Sequence, residues 1–454
     1  MKTIINLKRD IDNLENKEVY VGGWVRSNRA QKEFGFIALN DGTTLNHIQI
    51  VYEDNLDNFK EIQKIGVGSS VEVVGRVVLT PDRQQPFEIK ATKVKLITEA
   101  GEKYPIQPKR HSREFLREVA HLRPRTNLFN AVFRTRSVMS HAIHEFFQNQ
   151  DFIYVHTPIL TSNDGEGAGE MFTVTTQKDF KGNNFENDFF AKQVFLTVTG
   201  QLHAEAYAQS FRNVYTFGPT FRAEKSNTQK HASEFWMIEP EMAFTDLNGL
   251  MDVAEQMVKH LVKTLFDKLP DELDLFDKFV EKGLRDRLRI VLEKPFYRID
   301  HDEAIDILIN SGKRFENQPK HGGDLATEHE KYLTEVHFDA PVFVKNWPAD
   351  IKAFYMRQND DKKTVAAMDL LVAKSGELIG GSQREERFDF LEKRMKELNM
   401  HSEGIEWYIN LRKYGGTTSS GYGLGFERLI MFVTGVENIR DVIPFPRTPR
   451  NCEY

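Results

Sequence analysis

The sequence predicts an α+β protein in two parts, a small N-terminal barrel and a larger domain of helices around a largely antiparallel sheet. Three observations predict it. Residues 18–98 carry short β-rich runs cut by turn residues, residues 99–125 lose apolar periodicity, and from Leu128 amphipathic helical patterns alternate with strands.

Taken in order, strands are expected at 18–25, 35–39, 47–52, 70–79 and 87–97, rich in Val, Ile and Phe, with Asn40-Asp41-Gly42 and Thr80-Pro81-Asp82 between them. About five strands in some 80 residues suit a Greek-key barrel of the oligonucleotide-binding kind (OB-fold), which offers a strand face to single-stranded nucleic acid. The next stretch turns to Gly, Pro and basic residues, as a linker does, so the parts are drawn as 1–100, 101–125 and 126–454. In the last part 128–150, 246–268 and 384–397 read as helices. Strands are expected at 152–155, 194–199, 214–217, 235–243, 366–373 and 377–380.

Bulk properties narrow the function. At 454 residues, with 40% hydrophobic and 28% charged residues, the chain is globular and multidomain. No apolar run approaches the roughly 18 residues of a membrane span, and the N-terminus reaches Lys8 too soon for a signal peptide, so a cytoplasmic protein is expected. Cys452 is the only cysteine, which excludes an internal disulfide and a Cys-rich zinc site. A net charge of −6 argues against non-specific coating of nucleic acid.

Three segments of the second part carry chemistry. The first is the helix and strand ending at Thr157-Pro158. The second is Phe221-Arg222-Ala223-Glu224, a polar loop, and then Glu234-Phe235-Trp236-Met237-Ile238-Glu239-Pro240-Glu241. A strand placing Arg222 and Glu224 on one face could hold a phosphate with one and a base amino group with the other; a cross-strand ion pair is the alternative. The third is Gly421-Tyr422-Gly423-Leu424-Gly425-Phe426-Glu427-Arg428, opening a helix. Its glycines allow close backbone approach to a flat ligand, and Arg428 in the first turn can reach a phosphate.

In order and spacing these segments resemble motifs 1, 2 and 3 of the class II aminoacyl-tRNA synthetases, in the subgroup for aspartate, asparagine and lysine. The resemblance spans nearly the whole chain. It implies an antiparallel catalytic sheet with ATP on motifs 2 and 3, a homodimer through motif 1, and an anticodon-binding barrel. Arg222 would hold the α-phosphate and the substrate carboxylate, and Glu224 the adenine edge. Phe235 and Arg428 would sandwich adenine, Arg428 and His231 would reach the γ-phosphate, and Gly423 and Gly425 would floor the site. Asp369 and Glu377 resemble the family's acidic Mg²⁺ clamp, with Gly380 where eukaryotic relatives show Ser. In the barrel Arg29, Phe36, Gln49 and Glu88 match anticodon-reading positions, although Phe36 taken alone reads more readily as barrel core than as a base platform.

Within the subgroup the resemblance implies L-asparagine and tRNA(Asn) as substrates. Val342-Phe343-Val344-Lys345-Asn346-Trp347-Pro348 stands where bacterial aspartyl enzymes show His-His-Pro-Phe-Thr, and the chain has no room for their large insertion. Arg384 would donate to the side-chain oxygen and Glu239 accept from the amide NH₂. Gln201 and Glu166 would hold the α-ammonium, and Ala204 stands where aspartyl enzymes carry lysine. A non-catalytic RNA-binding paralogue and an asparagine synthetase are the rivals outside this reading.

Overall fold

Alternation closes the barrel. In the computed structural model, which describes residues 1–81, 85–163, 165, 170–178, 182, 184–226, 228–400 and 404–454, five strands run β1 Glu18–Ala30, β2 Phe34–Asn40, β3 Ile48–Glu53, β4 Ser70–Leu79 and β5 Phe87–Thr98. They pair in the order β1-β2-β3-β5-β4 as a closed barrel. Val19, Val21, Ile37, Leu39, Ile50, Val71, Val73 and Ile89 point inward and pack with Ile4 and Leu7 of the short helix Ile4–Arg9. Closure removes the exposed edges that an open five-stranded sheet would present. All five expected strands are present, the first extended to Ala30 past a bulge between Val25 and Ser27. The barrel belongs to a compact unit Met1–Phe133. Its linker stretch is packed: Ile106, Leu116 and Phe129 form a small core of their own.

The second unit, Arg134–Tyr454, holds β6 Ile153–Tyr154, β7 Leu160–Thr161, β8 Thr173–Val174, β9 Val194–Leu196, β10 Asn213–Phe221, β11 Glu234–Ala243, β12 Tyr297–Asp300, β13 Val342–Pro348, β14 Thr364–Val372, β15 Gly376–Gln383 and β16 Ser419–Gly425. Eight form one sheet in the order β12-β13-β14-β15-β16-β11-β10-β6, antiparallel except for the parallel pairs at its two ends. Helix Leu247–Lys268 starts where the Asp246 side chain accepts from the Gly249 N–H at 2.9 Å, and it buries residues at helical spacing from Leu250 to Leu265.

Three expectations change. The glycine run 421–425 is itself a strand, central between β15 and β11, and the helix begins only at Phe426. Arg222 and Glu224 lie beyond the end of β10, so a shared strand face does not align them. The helix expected over 384–397 is Phe388–Glu397, because residues just before it are held by the ion pairs of Arg384 with Glu241 and of Arg387 with Glu385.

Candidate active site

Cross-strand register builds the site floor. Asp369 of β14 pairs with Gly380 of β15, which pairs with Gly423 of β16; two residues along, Ser382 pairs with Gly421, and Gly421 with Glu241 of β11. Glycine at 421 is required here, since a Cβ would sit 2.2 Å from a Glu241 carboxylate oxygen. That carboxylate lies across Gly421 and takes the Arg384 guanidinium in a bidentate pair, while Arg384 Nη1 donates to Ser382 Oγ at 2.8 Å. Both side chains are buried. Burial pushes the Glu241 carboxyl up and is the largest single influence against the Arg384 charge, but Glu241, Tyr355 and Glu205 together hold the guanidinium above its ordinary value.

Above this floor lies a cleft of about 740 Å³. Gln201, Arg222, Glu224, His231, Phe235, Glu239, Asp369, Glu377, Arg384, Gly423, Gly425 and Arg428 all line it. At one wall the buried Glu239 accepts from the Thr199 hydroxyl and, at 2.9 Å, from the Gly200 N–H at the start of helix Gln201–Phe211. A carboxylate at a helix N-terminus is electrostatically favoured. Gln201 Nε2 is buried with no hydrogen-bond partner among the described residues, and the residue lines the cleft. Elsewhere in the lining, Arg222 lies over the Phe235 ring at 5.4 Å, and Arg428 Nη1 stands 3.6 Å from Glu377. His231 sits exposed in the loop, bonded to Thr228 and Ser226.

The acidic pair Asp369 and Glu377 faces open space at Gly380. A Cβ at Gly380 would lie 2.9 Å from Glu377 Oε1 and 3.4 Å from Asp369 Oδ1, so the two carboxylates converge on space that only glycine leaves open. Burial pushes the Asp369 carboxyl up, and Lys352, donating to Oδ2 at 2.8 Å, offsets part of that. Two carboxylate oxygens beside a phosphate cleft suit Mg²⁺, which keeps water and phosphate in its shell; the residues fit.

Two expectations fall elsewhere. Ala204 is not brought to the cleft; it packs among Val155, Ala208 and Val214, where a lysine would meet core. Glu166 lies outside the described residues. Sequence reasoning passed over Glu241 and Lys352. The first had a signal, since two glutamates two apart on one strand share a face; the second had none.

On the barrel, Arg29, Phe36, Gln49 and Glu88 share the outer face of β1, β2, β3 and β5. Arg29 is paired with Phe36 across the strands and lies over its ring at 5.7 Å, and Gln49 Nε2 donates to Glu88 at 3.0 Å. Phe36 is half-buried and absent from the barrel interior, which excludes the core alternative.

The chain thus combines a glycine-floored cleft on a largely antiparallel sheet, lined by two arginines and a carboxylate pair, with an oligonucleotide-type barrel. Comparison with known proteins agrees. The family of class II tRNA synthetases (D, K and N) matches residues 112–449, and the OB-fold nucleic acid binding domain matches 19–97. An asparagine–tRNA ligase of Acholeplasma laidlawii is 61% identical over 460 residues, covering 100% of this chain and 99% of that protein; one of Clostridium novyi is 57% identical, covering 100% of each. The crystal structure of asparaginyl-tRNA synthetase from Pyrococcus horikoshii complexed with asparaginyl-adenylate superposes with a TM-score of 0.86 at 34% identity, covering 97% of each chain. The chain belongs to the class II tRNA synthetases of the aspartate, lysine and asparagine group, in its asparagine–tRNA ligase branch.

Proposed function

We propose that the chain activates L-asparagine with ATP and transfers it to the 3′ end of tRNA(Asn). The observation that carries this reading is the cleft itself, which Glu239 and Arg384 line together with Arg222, Arg428 and the Asp369–Glu377 pair. An asparagine carboxylate oxygen attacks the α-phosphorus, the bond to the β-phosphate oxygen breaks, and pyrophosphate leaves. Arg222 neutralises charge at the α-phosphate and Arg428 at the leaving phosphates, and the enclosed floor fixes the line of attack. Asp369 and Glu377 would hold Mg²⁺, which when bound supplies charge neutralisation to the phosphates. The terminal ribose hydroxyl of the tRNA then attacks the adenylate carbonyl and AMP leaves. Glu224 is assigned to the adenine edge, Phe235 to the adenine face and His231 to the γ-phosphate; Gln201 with Glu166 is assigned to the α-ammonium.

Asparagine and aspartate are nearly isosteric, so the pocket must read charge and donor pattern. Glu239 accepts from an amide NH₂ and repels a carboxylate, and Arg384 donates to the oxygen that both side chains possess. In pyrophosphate exchange, Glu239→Gln is expected to lower kcat/KM for asparagine over aspartate at least about tenfold, or 1.4 kcal/mol. An unchanged ratio would move discrimination away from Glu239.

The anticodon reading uses the outer barrel face, with a base stacked on Phe36 and the Gln49–Glu88 pair at its edge. Phe36→Ala is expected to weaken charging of tRNA(Asn) by about 1–3 kcal/mol and to spare tRNA-independent exchange; loss of both activities together would count against it. A homodimer through motif 1 is supported by the half-exposed Ile153 and Tyr154 on the edge strand β6. A cytoplasmic site of action is consistent with a tRNA substrate. The test of the whole reading is charging of a tRNA(Asn) transcript with radiolabelled asparagine in the presence of ATP and Mg²⁺; absence of labelled tRNA would defeat it.

A further inference from the structure

Beneath the amino-acid wall lies a second buried ionic group, none of whose members lines the cleft itself. Glu205, on helix Gln201–Phe211, takes the Tyr408 hydroxyl on one oxygen at 2.6 Å and Arg412 Nη2 on the other at 2.6 Å. The Glu205 and Arg412 side chains are 1% and 3% exposed. Arg412 also donates through Nε to the Glu385 carbonyl at 2.9 Å and lies over the Tyr408 ring at 4.2 Å. Each end of this network therefore meets a different piece of the wall. Glu205 is one helical turn below Gln201 on the same face, and Glu385 directly follows Arg384. Apolar packing continues the link, since Leu202 and the cleft residue Tyr355 share a core with Tyr408, Ile405 and Ile409.

A buried ion pair is weak evidence for stability, because apolar residues of similar volume often serve as well or better. Its retention here calls for a geometric reason. Electrostatics supplies a second one: Glu205 helps to hold the Arg384 guanidinium charged and raises its neighbour Glu241.

We propose that Glu205, Tyr408 and Arg412 are positioning residues for asparagine, fixing Gln201 and Arg384 relative to each other from below the pocket. The proposal rests on the asparagine reading given above. Misplacing a binding group by about an ångström costs up to roughly a hundredfold, and ATP does not use Gln201 or Arg384. The variants Glu205→Gln, Tyr408→Phe and the charge-free double variant Glu205→Gln with Arg412→Met are compared with wild type in pyrophosphate exchange, with KM measured separately for asparagine and for ATP and with thermal unfolding of each. Wild-type exchange with asparagine is the control, and its absence would defeat the asparagine reading rather than this one. Glu205→Gln is expected to raise the asparagine KM by about tenfold or more while the ATP KM stays within about twofold, and Tyr408→Phe, which keeps the ion pair, is expected to do so only mildly. The double variant, with no orphaned charge, is expected to regain Tm but not the asparagine KM. Recovery of both together, an equal rise in both KM values, or an asparagine KM unchanged in the folded variants would each overturn the proposal.

Discussion

Arg222→Ala is expected to reduce asparagine-dependent pyrophosphate exchange by roughly 10²–10³-fold, the cost of removing one preorganised donor from a developing anion. Arg222 lines the cleft and lies over the Phe235 ring, so its loss should fall on the chemical step. The fall should therefore appear in kcat/KM with unfolding unchanged. Arg222→Lys should recover only part of it, because a point charge cannot reproduce a planar fork. Full exchange activity in Arg222→Ala would remove this residue from the α-phosphate.

Arg384→Ala is expected to act on stability and binding at once. Its partner Glu241 is fully buried, and breaking a buried pair by removing one side typically costs about 3–5 kcal/mol, since the remaining carboxylate is left without compensation. Without the guanidinium, burial is left to drive Glu241 to its neutral acid form, which limits the loss. Denaturant unfolding should show the destabilisation, and asparagine saturation should be lost in whatever folds. Wild-type stability in this variant would mean that the pair is not the anchor of the floor.

Much of this architecture was legible in the sequence because it is written in short periods. The five barrel strands alternate, and the buried stripe of Leu247–Lys268 recurs at helical spacing. The glycine run 421–425 was harder: glycine is depleted in strands, and it occupies a central one where Glu241 fills the room at Gly421 and Met237 the room at Gly423. The cleft residues were found through motif order, yet what fixes them was not. The Glu241–Arg384 pair joins residues 143 apart and the Arg412–Glu205 pair residues 207 apart, and no local pattern encodes such partners. Ala204 shows the opposite failure, in which the position matched a motif while the helix turned its side chain into the core.

The central claim, that this cleft selects and activates asparagine, is tested most directly by pyrophosphate exchange into ATP with each amino acid in turn, without tRNA. The account predicts exchange with asparagine and a kcat/KM for aspartate lower by orders of magnitude. Exchange that is equal for the two, or that requires aspartate, would contradict it.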